Sequence, residues 1–280
     1  MFDSTKNKDS VRNLDRTIVE AERKRKKRPL TYFGLPGPQM LDVLSWKDFL
    51  GTIVAVESDW LSRHVMLTTA FDNGIDSRLQ VMAGDIDELL IKGHDLNGWK
   101  PRESPFDVVN LDYVGGPLVK DRQGDSRRMQ ALRKLFEVQR SAKRDFLLLV
   151  TLNTRNRDEG EFNQAMDQIL REARGDRFDF DGAVEAYKAS RYDFKMKVYF
   201  AFNVDRLAAA NGFVCSAESP VTYLGTGRVR MVHFAFRFGF VKGRVGVAKA
   251  QPIARLVNLK FREAEGGEVR SLKLPALAPD

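Results

Sequence analysis

One cysteine, Cys215, in 280 residues excludes an internal disulfide and a cysteine-cluster zinc site. The three histidines, His64, His94 and His233, are dispersed and match no metal-ligand spacing, so no structural metal is expected. No uninterrupted apolar run approaches the roughly 18 residues that a membrane-spanning helix needs, and the charged start Met1-Phe2-Asp3-Ser4-Thr5-Lys6 lacks the apolar region of a secretory signal. The expectation is a soluble, cytoplasmic protein. The chain does carry 43% hydrophobic and 30% charged residues, enough to bury the core of one large domain with appendages. A net charge of +8 favours an acidic partner, and nucleic acid ahead of membrane, because no amphipathic apolar anchor accompanies the charge.

The stretch Pro105 to Pro117 organises the rest. Phe106, Val108, Val109 and Leu111 form a run too short for a helix, bounded by a proline before and Gly115-Gly116 after, which reads as a buried strand of a parallel sheet. Asn110 and Asp112 interrupt it two residues apart, so they share one face near its carboxyl end. Ligands of open α/β sheets lie beyond the carboxyl ends of the strands. The competing reading is that both residues only cap a turn.

Around that strand the chain alternates apolar runs and helical patterns. Residues 1–28 form a basic N-terminal arm ending in Arg23, Lys24, Arg25, Lys26, Lys27 and Arg28, cations that need either solvent or a polyanion; a nuclear localisation signal is a further reading. Leu30 to Phe33 is a first strand. Gly34-Leu35-Pro36-Gly37-Pro38 turns into a helix whose apolar face holds Met40, Leu41, Leu44, Trp46 and Phe49, the arrangement that opens a doubly wound phosphate or cofactor unit. Gly51 to Glu57 is a β-branched strand ending in an acid about twenty residues past the glycine turn, where a carboxylate accepts hydrogen bonds from ribose hydroxyls; Asp59 is the alternative for that role. Arg78 to Ala83 is a third strand, followed by Gly84 and Asp85, which suits an adenine amine or, alternatively, the N-cap of the helix holding Ile86, Leu89 and Leu90.

Ser126 to Ala142 is a helix with Met129, Leu132, Leu135, Phe136 and Val138 inward and Arg127, Arg128, Arg133, Lys134 and Arg140 outward. Phe146 to Leu152 is a second fully buried strand, ending in a cationic loop with Arg155 and Arg157. Helices follow from about Glu161 to Ala173 and from Phe194 to Asn211, with an irregular connection between them. Phe213 to Leu224 and Met231 to Phe238 are extended and joined by Gly225-Thr226-Gly227-Arg228, which suits an antiparallel hairpin. Cys215 within it reads as a core filler and His233 as a packed strand residue. Val257 to Arg262 is an extra strand, and Leu272 to Asp280 a loose end. The expected fold is a doubly wound, mostly parallel seven-stranded α/β sheet closed by that hairpin over residues 29–241, with a C-terminal extension, 242–280.

The order of Gly34/Gly37, Glu57, Gly84-Asp85 and Asn110-Leu111-Asp112-Tyr113, ended by the hairpin, resembles the class I S-adenosylmethionine-dependent methyltransferase superfamily over roughly residues 30 to 240. Phe106 to Gly115 is similar to the fourth motif of nucleic-acid amino-methyltransferases, with Tyr113 where a proline is usual and without the Gly-x-Gly core in the first motif. The resemblance implies S-adenosylmethionine held by Gly34, Gly37, Glu57 and Asp85. It implies an exocyclic amine of an RNA or DNA base held by Asp112, with Asn110 orienting that amine or the methionine moiety and Tyr113 stacked on the base. The cations at 23–28, Arg155 and Arg157 would hold phosphates. A non-catalytic nucleic-acid-binding or assembly subunit is the alternative. An NAD-dependent oxidoreductase would also use Glu57, but the terminal hairpin argues against it.

Overall fold

The computed structural model describes residues 5–113, 115–117, 126–154, 164, 192–241 and 261–272. Arg155, Arg157, all but Gln164 of the helix expected at Glu161 to Ala173, and nearly all of the connection to Asp193 lie outside the described residues.

Five parallel strands form the heart of the sheet: β1 (Leu30–Gly34), β2 (Leu50–Glu57), β3 (Leu79–Ala83), β4 (Val108–Asp112) and β5 (Phe146–Asn153). They lie in the order β3-β2-β1-β4-β5. The chain order turns back beside β1, whose neighbours are β2 and β4, so a crevice opens there at the carboxyl ends. β8 (Arg230–Phe240) runs antiparallel to β5, and β6 (Phe213–Ala217) and β7 (Val221–Leu224) both pair antiparallel with β8. The expected hairpin is therefore present with its first arm split in two. A further hairpin, β9 (Phe261–Glu265) and β10 (Glu268–Leu272), extends the sheet through β7. Ten strands stand among the described residues where seven were expected.

Alternation along β5 shows why the sheet needs two covered faces. Phe146, Leu148, Val150 and Leu152 join one apolar cluster with Phe33, Phe136 and Phe238. Leu147 and Leu149 join the other with Tyr32, Trp46 and Ile53. The first cluster includes residues of α4 (Ile86–Lys92), α5 (Arg127–Ser141) and α6 (Tyr192–Ala210). The second includes residues of α1 (Lys6–Lys26), α2 (Leu41–Trp46) and α3 (Trp60–Asp72). Each of three helices starts at a side-chain cap of a favoured residue type: Asp59 accepts from Ser62 N at 2.7 Å, Asp85 from Glu88 N at 3.0 Å, and Ser126 Oγ from Met129 N at 3.4 Å. Among the described residues no helix is long and apolar enough to cross a membrane.

Two expectations need correction. Residues 6–26 are not an arm but the packed helix α1, which buries Val11 and Val19 and lies against α2, β7, β9 and β10. Its basic end folds onto the amino-terminal ends of the strands. Asp107, 1% exposed, takes Lys26 Nζ at 2.7 Å, the Arg28 guanidinium at 2.7 and 2.8 Å, and Thr31 N at 2.9 Å. Arg25 pairs with Glu22 and Asp145, and Lys24 with Glu20. The second correction concerns α5, where Val138 is exposed and Arg128 is buried, because Arg128 finds an aromatic ring, a carboxylate and a carbonyl inside.

Candidate functional site

A cavity of about 470 Å³ opens at the carboxyl ends of β1 to β4. Its wall includes Gly37, Glu57, Asp85, Asp112 and Tyr113, so one hollow gathers residues from four separate strand ends. Its volume falls within the roughly 300–1,000 Å³ usual for small-molecule sites.

Gly34 shapes the crevice from below. The β1 and β4 backbones approach so closely that a β-carbon on Gly34 would stand 2.1 Å from the Asn110 carbonyl oxygen. That oxygen accepts Leu35 N at 2.9 Å. Gly34 therefore acts on strand packing and is not on the cavity wall. Gly37, at φ 69°, has open space where a side chain would stand, which leaves its backbone accessible to a ligand.

Glu57 ends β2 on the cavity wall, its Oε1 accepting Asp59 N at 2.9 Å. Asp59 itself serves as the α3 cap and is not part of the wall. Asp85 is the N-cap of α4 and also lines the cavity, with Arg127 Nη2 3.5 Å away.

The β4 residues are engaged within the chain. Asp112 Oδ2 takes Lys8 Nζ at 2.8 Å, and buried Asn110 donates Nδ2 to Asp42 Oδ2 at 3.2 Å. Arg12 Nε donates to Asp42 Oδ1 at 2.6 Å and Arg12 also pairs with Asp9. Burial alone would lower the Lys8 ammonium pKa, but Asp112 beside it outweighs this and holds it above the ordinary lysine value.

Tyr113 is corrected as a base-stacking residue in this arrangement. It is 4% exposed, its hydroxyl donates to Asp87 Oδ1 at 2.6 Å, and the Arg128 guanidinium carbon sits 3.8 Å from the ring centroid. Burial raises the Tyr113 hydroxyl well above its usual pKa and also pushes Asp87 up, against the opposing pull of Tyr113 and Arg128. Arg128 further donates to the Gly116 carbonyl.

A smaller recess adjoins the cavity, lined by Asp15, Thr151 and His233 together with Lys8, Asp42 and Asp112. His233 is more than a packed strand residue. Its Nε2 is 2.9 Å from Asp15 Oδ1 and its Nδ1 is 3.0 Å from Thr151 Oγ1. Lys8, Arg12 and Asp15 fall on one face of α1 by their spacing of four and three, a signal the sequence offered without naming their partners. Cys215 is buried in β6.

The basic run stands at the other end of the molecule. Lys8 and Lys26 lie eighteen residues apart on one helix, about 27 Å at ~1.5 Å per residue. Arg23 to Arg28 are therefore not positioned to clamp the phosphates flanking a base at Asp112.

A family model described as PP_RS20740-like matches residues 73–196, less than half of the chain. No curated protein matches the sequence. Among solved structures, a protein of Pyrococcus horikoshii provisionally assigned as an RNA methyltransferase is 13% identical over 82% of this chain and 85% of that one, with a TM-score of 0.42. An O-methyltransferase family protein of Burkholderia thailandensis is 13% identical over 84% of this chain and 59% of that one, TM-score 0.40. Cofactor-bound Rv0187 from MTB is 13% identical over 80% and 78%, TM-score 0.40.

Proposed function

We propose that the chain binds S-adenosylmethionine in this cavity and transfers the methyl group to an amine nitrogen held at Asp112; the finer reading is the exocyclic amine of a nucleic-acid base. The observation that carries the reading is the convergence of the Gly37 turn, Glu57, Asp85 and Asp112 on one hollow at the ends of four parallel strands. The donor set fits the cofactor. Glu57 offers a carboxylate to two ribose hydroxyls, Asp85 accepts from the adenine amine, and the open space at Gly37 admits the amino-acid portion.

When bound, S-adenosylmethionine supplies a methyl carbon on a positively charged sulfur, and an N–C bond forms as the C–S bond breaks with its electron pair kept by sulfur. Asp112 orients the acceptor by taking an N–H hydrogen bond, which aims the nitrogen lone pair, and it or solvent receives the proton released afterwards. Asn110 keeps Asp42 in place beside it. A base would reach Asp112 only from a single strand, a loop or a flipped position, with its phosphates held by cations other than Arg23 to Arg28.

A non-catalytic role on the same fold is favoured by one observation, that Asp112 and Tyr113 are both occupied by partners from within the chain. Calorimetric titration with S-adenosylmethionine, with NAD as control, tests the proposal. Saturable binding of the sulfonium compound alone supports it. Binding of neither compound moves the non-catalytic role to first place.

A further inference from the structure

The Lys8 ammonium reaches from α1 to the Asp112 carboxylate on the cavity wall. It arrives from the α1 side, whereas Glu57 and Asp85 stand at the ends of β2 and β3, across β1 from β4. The cofactor-side acids and the Lys8 contact therefore occupy opposite flanks of the same hollow. We propose that Lys8 holds the acceptor position: its ammonium stands where the substrate –NH2 group binds, and the first turn of α1 is a strap that a primary amine displaces from Asp112. The proposal rests on the cofactor reading of the cavity.

The attachment of α1 suits a strap. From Val11 onward the helix is fixed by buried Val11, Asp15, Val19 and Glu22, with Asp15 on His233. Before Val11 it is held by polar contacts: the Thr5 cap on Lys8 N, Ser10 Oγ on the Gly267 carbonyl at 2.5 Å, Gly267 N on Asn7 Oδ1 at 3.4 Å, and Lys8 on Asp112. Unwinding one terminal turn breaks no apolar core, and helix ends open at low cost because their backbone groups are only partly satisfied. Arg12 lies beyond the turn that lifts and stays with Asp42, so Asp42 remains neutralised. Asp112 then loses its ion pair with Lys8. That carboxylate, half-buried at 23% side-chain exposure and reached by Lys8 at 33%, accepts an N–H donor and repels an anion.

Two cofactor analogues separate this proposal from the one it rests on. S-adenosylhomocysteine has nothing at the reacting position, whereas sinefungin carries an ammonium in place of the methylsulfonium and so competes with Lys8 for Asp112. Removing Lys8 as Lys8→Met is expected to strengthen sinefungin about tenfold relative to S-adenosylhomocysteine, the size of one charge-assisted hydrogen bond. Lys8→Arg keeps the original ratio. In the unaltered chain, hydrogen exchange of the first-turn amides of α1 is faster with sinefungin bound than with S-adenosylhomocysteine bound. Binding of both analogues with an unchanged ratio in Lys8→Met, or with equal exchange, overturns the strap and leaves the cofactor reading standing. Binding of neither analogue to any variant overturns both.

Discussion

Gly34 and Asn110 bring β1 and β4 so close together that a single methyl group on Gly34 would lie 2.1 Å from the Asn110 carbonyl oxygen. The closest atoms belong to the Asn110 backbone carbonyl, which cannot swing aside as a side chain would, and the Tyr32 hydroxyl crowds the position at 2.9 Å. Gly34→Ala is expected to push the two strands apart and cost about 3 kcal/mol or more, the range for overpacking a closely packed core. Guanidinium unfolding reads this directly. A midpoint within about 0.5 kcal/mol of the original chain would mean that the strands do not meet this tightly.

Glu57 is the residue whose loss should affect ligand binding and little else. Its carboxylate already accepts Asp59 N and Ser58 Oγ at the start of α3, and Gln retains an oxygen for those donors. Glu57→Gln is therefore expected to keep the unfolding midpoint and weaken S-adenosylmethionine by about tenfold, from weaker hydrogen bonds to the ribose hydroxyls. Equal affinity in calorimetry would remove Glu57 from the ribose role.

The sequence carried the strands and helix starts well, because those signals are local. β4 and β5 were legible as apolar runs, the cap Asp85 as a residue type at a junction, and the helix start at Ser126 from its apolar spacing. The partners of the charged residues were not legible, because they lie far along the chain. Lys26 and Arg28 answer Asp107 about eighty positions away, Lys8 answers Asp112, and Asp15 answers His233. A charge run read alone therefore suggested a free arm, and a polar face on α1 suggested solvent. Arg128 failed for a related reason: helical periodicity assigned it outward, and only the Tyr113 ring and Asp87 explain its burial.

Asp107 ties the basic end of α1 to the sheet through Lys26 and Arg28. Its pKa is lowered: burial alone would raise it, and the bonds from Arg28, Lys26 and Thr31 N more than reverse that. A carboxylate depressed on folding contributes stability above its unfolded value, about 3.9, and loses it as pH falls through the lower folded value. Asp107→Asn is expected to cost about 3 kcal/mol at neutral pH, at the low end for a broken buried pair because Arg28 is 41% exposed and screened. It should also flatten the acid limb of the stability curve below about pH 4. Urea midpoints at pH 7 and pH 3 check both, and an unchanged acid limb would assign acid sensitivity to another group.

His233 gives the opposite slope. Burial alone would lower its pKa, but the Asp15 carboxylate 2.9 Å away reverses this and raises it above the ordinary histidine value. Asp15 is itself raised, by burial first, against the pull of His233. Both groups therefore bind protons more readily in the folded chain than in the unfolded one, and stability must fall as pH rises through their windows. The His233 part is fully present below its unfolded value, about 6.5, and is lost as pH climbs through the raised folded value. His233→Gln keeps a side-chain amide for Thr151 and Asp15 but cannot titrate. Urea midpoints from pH 6 to pH 9 should decline in the original chain and run level in the variant across that window. A decline of equal size in both would show that the Asp15–His233 pair does not carry the alkaline loss, and that another group on the sheet does.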